Sequence, residues 1–106
     1  MKTNDLDGDA LDWAVAKCMG HADETIFRRL KPDEEGWCIA YSTDWAQGGP
    51  IIEWEKITLE WTGEGWNAYI RHDDEYPDGP TPLIAAMRCY VASKLGDEIT
   101  IPKELT

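Results

Sequence analysis

The chain has 106 residues, 21 acidic against 10 basic, and a formal net charge of −11. That balance excludes ordinary nucleic-acid binding, where Lys and Arg replace phosphate counterions, and docking on anionic lipid. The length suits one domain spanning 1–106. No apolar run approaches the ~18 residues of a membrane span, and Met1-Lys2-Thr3-Asn4-Asp5 lacks a signal peptide's apolar core, so a cytoplasmic protein is expected.

In chain order, the first expected element is a helix. Leu11, Ala14, Val15, Cys18 and Met19 recur at helical spacing. Asp7 or Asp9 can cap its start, and Gly20 can take a left-handed position after its end. Residues 21–36 are polar and irregular. Within them Thr25 to Leu30 suits a short strand or a turn of helix, and Lys31 to Gly36 a turn. Trp37-Cys38-Ile39-Ala40-Tyr41 alternates large and small side chains, as a strand does. Ser42 to Pro50 has loop chemistry, with two glycines, a proline and many hydrogen-bonding side chains. Ile51-Ile52 can add a short strand.

A hairpin follows. Ile57, Leu59 and Trp61 share one face, Thr62-Gly63-Glu64-Gly65 makes the turn, and Trp66, Ala68 and Ile70 share a face on the return. His72 to Pro80 is an acidic loop. Thr81 as cap and Pro82 at the first helical position start a second helix. Its apolar stripe is Ile84, Met87, Val91 and Leu95, widened by Leu83, Ala86 and Tyr90, and Gly96 ends it. Ile99-Thr100-Ile101 suits a terminal strand. The pattern predicts an α+β fold in α-β-β-β-α order, a small antiparallel sheet of three to four strands flanked by an N-terminal and a C-terminal helix. The helices would cover one sheet face, leaving the other partly open for tryptophans.

Chemistry-bearing motifs are few. Three cysteines, Cys18, Cys38 and Cys89, show no CxxC spacing and sit among apolar neighbours, as reduced thiols do. Asn4 to Asp9 resembles a calcium loop only superficially. Placing Gly8 at the invariant glycine puts Thr3 first and Ala14 twelfth, and neither ligates as required. Cys18 and His21 have a ligand-like spacing with no second pair to complete a zinc site. His72 could pair with Asp73 or Asp74, but a triad needs a presented nucleophile, which Ser42, Ser93 and the cysteines do not offer. Glu53, Glu55 and Glu60 suit a solvated face. No phosphate-binding glycine motif occurs. No catalytic residue, metal ligand or cofactor is assigned, and the chain is read as a non-enzyme.

The best candidate site is the 42–50 segment. Ser42, Thr43, Asp44 and Gln47 supply donors and acceptors, Gly48 and Gly49 allow close backbone approach, and Trp45 can stack on a planar group. Arg88, on the second helix, could meet an anionic group or anchor the polar loop. The plainer reading is a structural loop whose side chains satisfy its own backbone, with Arg88 in an internal ion pair. Six tryptophans against one Phe are too many for a core this small, so some should line a groove or an interface.

Three stretches carry a family resemblance: Leu11-Asp12-Trp13-Ala14-Val15-Ala16-Lys17-Cys18, the run from Ser42-Thr43-Asp44-Trp45 through Gly48-Gly49-Pro50-Ile51-Ile52-Glu53, and the run from Gly79-Pro80-Thr81-Pro82 through Lys94-Leu95-Gly96. Together they resemble the NinX-like proteins of lambdoid phages and prophages, a family of unknown function. The resemblance implies an accessory protein made in the host bacterial cytoplasm, and it brings no catalytic residues. After Glu53, where it implies a basic residue, this chain has Trp54.

The expectation is therefore an accessory protein that binds a host protein, with interference in a host defence as one use of such binding. The alternative is a binder or sequestering protein for a small nucleotide signal, with Trp45 on the base and Arg88 on phosphate. Either a monomer or a homodimer fits the composition.

Overall fold

In the computed structural model, residues 2–30, 38–70 and 77–105 are described. They form four helices, α1 (Gly8–Cys18), α2 (Asp23–Leu30), α3 (Trp45–Glu55) and α4 (Pro82–Leu95), and three strands, β1 (Thr58–Trp61), β2 (Trp66–Tyr69) and β3 (Asp78–Gly79). Single 3-10 turns occupy Thr3–Asp5 and Lys103–Leu105. The fold is α+β, helix first and helix last, with an antiparallel sheet in the order β1-β2-β3. Lys31 to Trp37 and Arg71 to Tyr76, including the expected turn at 31–36 and His72, lie outside the described residues.

α1 forms where its periodicity places it. Asp7 holds the N-cap position without a side-chain cap bond. Gly20, at φ +93°, closes the other end. Its N–H reaches Lys17 O at 3.0 Å while the His21 N–H reaches Ala16 O at 3.1 Å, the paired bonds of a left-handed helix stop. The 25–30 stretch proves to be helix rather than strand. α2 buries Ile26 and Leu30, and Lys17 ties its start to α1 through Asp23 at 3.0 Å.

Residues 38–40 are not a strand, and 41–43 form a turn. The alternation there reflects burial against helices: Ile39 and Tyr41 sit in the core, and the Ile39 N–H bonds Arg29 O at 2.9 Å instead of a sheet neighbour.

The largest difference is α3. The expected loop at 42–50 and the expected strand at Ile51-Ile52 are one helix with Pro50 inside it. Two glycines and a proline cost a helix interior about 5 kcal/mol together, so strong local terms must offset them. Asp44 Oδ1 accepts from the Ala46 N–H at 2.9 Å. Gln47 folds back, its Nε2 donating to Cys38 O at 2.7 Å and its Oε1 accepting from the Ala40 N–H at 2.9 Å. At the far end Lys56 takes φ 55°, and the Ile57 N–H reaches Ile52 O at 3.0 Å. Gly49 has no Cβ to clash with the ring of Pro50, the clash that bars most residues before proline from helix. Gly48 lies against its neighbours so closely that a Cβ would strike Tyr41 O and stand 2.6 Å from Leu83 Cδ1.

The hairpin has the expected turn, and Thr58 faces Tyr69, Leu59 faces Ala68, Glu60 faces Asn67 and Trp61 faces Trp66. The indoles of Trp61 and Trp66 meet at 5.4 Å between ring centroids. They share a face with buried Ala68, not the face opposite, where Tyr69 is buried too. The expected open face lined by tryptophans is therefore not what the sheet presents. Part of the acidic loop, Asp78-Gly79, pairs as β3 with β2.

α4 starts as expected, with Thr81 Oγ1 accepting from the Ile84 N–H at 3.1 Å, and stops at Gly96. Its buried residues are Leu83, Ala85, Ala86, Met87, Cys89, Tyr90 and Val91. That set wraps most of the helix, whereas Ile84 is half-buried and Leu95 exposed. The reason is position. α4 packs on α1, α3, all three strands and the first 3-10 turn, so it needs apolar residues nearly all round. The stretch 99–101 is not a strand. Ile99 and Ile101 pack half-buried on the core, and the pairing there is the bridge between Lys2 and Glu98. Thr3 anchors it, donating through its N–H to Asp97 O at 2.7 Å and through Oγ1 to Gly96 O at 2.6 Å.

Two substitutions test this account of α3. Gly48→Ala is expected to lower stability by about 1–3 kcal/mol or more, because the backbone carbonyl of Tyr41 cannot move aside as a side chain can. Lys56→Gly is expected to raise it by roughly 0.5–1 kcal/mol by relieving a left-handed non-glycine residue. Denaturant unfolding reads both.

Candidate functional site

The eight candidate residues fall into two places. Ser42, Thr43, Asp44, Trp45, Gln47, Gly48 and Gly49 form the turn and first coils of α3. Arg88 lies on α4, and its guanidinium bonds carbonyls elsewhere: Nε to Leu6 O at 2.7 Å and Nη1 to Asp78 O at 2.7 Å. It thereby ties the N-terminal segment and β3 to α4. Asn4 reinforces the same junction, donating through Nδ2 to Asp78 Oδ1 at 2.8 Å and accepting from the Asp78 N–H at 3.0 Å.

Within the α3 group the side chains of Asp44 and Gln47 serve the fold. Asp44 caps the helix and Gln47 clamps the 38–40 segment to it. Ser42 is buried, and its N–H donates to Asp12 Oδ1 at 2.8 Å. Trp45 differs: its indole lies over Gly49, with Cε3 3.8 Å from where a Cβ would stand, and the residue remains 54% exposed.

Asp12 is the residue that reading for motifs missed. It sits in α1 with buried residues before and after it, from Ala10 to Ala16. An acid inside so apolar a run was the available signal. Burial raises its pKa above the ordinary 3.8, and the hydrogen bond from the Ser42 backbone pulls the other way. The Asp12 charge in turn adds to the burial that holds the Tyr41 hydroxyl protonated. Asp12 is thus a structural acceptor joining α1 to the segment leading into α3.

The Cys18 thiol has little nucleophilic character. Burial pushes Cys18 up to about 11, Cys89 is buried, and Cys38 is exposed. Among the described residues no group of His, Cys, Asp and Glu could hold a metal ion, and no helix is long and apolar enough to cross a membrane. An open groove of about 350 Å³ runs past the hairpin turn between Asn67, Asp78 and Arg88. Glu64 also lines it, so Arg88 shares the groove with carboxylates and creates no positive site.

What reaches solvent instead is indole. Trp54 is 63% exposed and Trp61 57%, alongside Trp45, while Trp13 is buried and Trp66 half-buried. Fold and site together define a small acidic α+β protein whose polar clusters are structural and whose aromatic surface is left outside. The family model described as Bacteriophage P22, NinX matches residues 2–94. The chain belongs to that family and is a phage accessory protein. No curated protein matches it.

The Asp12 contact gives a test with opposite signs. Asp12→Asn keeps an acceptor for Ser42 and removes the buried charge, so stability at pH 7 is expected to hold or rise. Asp12→Ala strands the Ser42 N–H and is expected to cost about 1–3 kcal/mol. Because the folded-state pKa is raised, the folded form binds the extra proton. The stability of the unsubstituted chain relative to Asp12→Asn should therefore fall as pH rises from about 3.8 toward that raised value. Paired pH-dependent unfolding curves check this.

Proposed function

We propose that this phage accessory protein acts by binding a host protein and performs no chemistry of its own. The observation that carries the reading is the exposure of Trp45, Trp54 and Trp61, each more than half open to solvent, on a chain of net charge −11. Indole combines large apolar area with one donor, and it is enriched where protein surfaces meet. Excess negative charge favours encounter with a basic partner and slows encounter with acidic ones. Interference with a host defence is one role that such binding would serve.

The nucleotide-binding alternative has less behind it. It needs a cation near Trp45, and the guanidinium of Arg88 is held by Leu6 O and Asp78 O. The acidic net charge also repels phosphate.

Affinity capture from host lysate with the full chain, compared with Trp54→Ala and Trp61→Ala variants, tests the proposal. It expects a saturable protein partner whose retention falls with added salt and falls at least several-fold in one or both variants. No saturable partner, or equal capture by the variants, would contradict it. Saturable quenching of tryptophan fluorescence by a nucleotide would favour the alternative.

A further inference from the structure

β1 is an edge strand. Among the described residues it pairs with β2 alone, and Thr58, Glu60 and Trp61 are exposed. The direction of its backbone groups follows from two hydrogen bonds. The Thr62 N–H donates to Gly65 O at 2.9 Å, and the Ala68 N–H turns away from β1 to Pro77 O at 3.0 Å. Inward and outward residues alternate along an antiparallel strand. Thr58 and Glu60 therefore bond β2, and Leu59 and Trp61 direct their N–H and C=O groups outward. Between Ile57 and Ile70 there is no proline and no basic residue, the usual protections of an exposed edge. Lys56 stands just before it, at the end of α3.

We propose that this edge accepts an extended segment of a partner protein as a fourth strand. The segment carries a basic side chain opposite Glu60 and large apolar side chains opposite Leu59 and Trp61. The inference rests on the protein-binding reading and names the docking element and the partner's chemistry. A strand added here would make its hydrogen bonds at Leu59 and Trp61. Its residue opposite Glu60 would then occupy the closer, non-hydrogen-bonded pairing, where side chains couple most strongly. Lys or Arg suits that place, since the hairpin carries Glu60 and Glu64 and no compensating cation. On the other face, the Trp61–Trp66 pair offers an indole platform at the sheet margin. A second copy of this chain is a poor occupant. In the self-paired register centred on β1, with Leu59 opposite Trp61, a two-fold axis would set Glu60 directly opposite Glu60, and in every register the two molecules each carry −11.

The probe is a short synthetic peptide alternating Lys with Ile and Val, compared with the same peptide bearing Glu for every Lys. Binding is followed by amide nitrogen–proton spectra of the full isotope-labelled chain, which also report that each variant is folded. The Lys peptide is expected to shift the Leu59 and Trp61 amides and the Trp61 indole N–H saturably. The Glu peptide, or a Glu60→Lys variant, should bind roughly tenfold more weakly. Shifts centred on α3, equal binding of both peptides, self-association through Leu59 and Trp61, or no shift at millimolar peptide would each overturn the proposal. A host partner captured by the full chain that leaves the Leu59 and Trp61 amides unchanged would overturn the edge site while leaving host binding intact.

Discussion

The enclosure of α4 is the constraint on which the other elements depend. It is the only described helix with packing partners on α1, α3 and the whole sheet, and close approach to it dictates residues at a distance in sequence. Gly79 brings β3 so near its first turn that a Cβ would stand 2.8 Å from the Ala85 nitrogen. Gly48 does the same for α3 through Leu83. Arg88 reaches outward from α4 to hold Leu6 and Asp78, and Lys94 pairs with Glu55 at the end of α3 at 3.0 Å. Apolar burial supplies the driving force, and these few polar ties decide how the surrounding pieces are oriented.

That arrangement separates the chain's polar chemistry from its surface. Asp44 and Gln47, which resemble part of a binding loop in sequence, help keep helical a segment containing two glycines and a proline. Asp12 is committed to Ser42, and Gln47 to the 38–40 backbone. The aromatic surface is not committed in the same way. Trp54 and Trp61 are each more than half exposed, and Trp61 meets only the neighbouring Trp66 indole in the ring contacts among the described residues. The functional reading rests on that contrast.

Much of the fold was legible because local signals and tertiary packing agree. Thr81-Pro82 and Gly96 bracket α4, Gly20 stops α1, and the Gly63-containing turn joins two alternating strands. The segment from 38 to 55 was not legible, because there the two disagree. Gly48, Gly49 and Pro50 are helix breakers by propensity, yet close packing needs the first and the proline is best preceded by the second. Ile39 and Tyr41 alternate because they face the helical core, so a period of two arose without a strand. The candidate site was legible only in part. Trp45 was legible as a side chain able to stack on a planar group, but nothing beside Arg88 in sequence marks its bonds to the carbonyls of Leu6 and Asp78. Asp12 was marked only by its apolar neighbours.

The central claim is that the protruding indoles lie outside what holds the fold together. Denaturant unfolding of Trp54→Ala beside Trp13→Ala tests it most directly. The account expects Trp13→Ala to lose about 3–5 kcal/mol, as a buried aromatic does, and Trp54→Ala to stay within roughly 0.5 kcal/mol of the unsubstituted chain. A loss at Trp54 as large as that at Trp13 would make the exposed indole part of the framework and contradict the account.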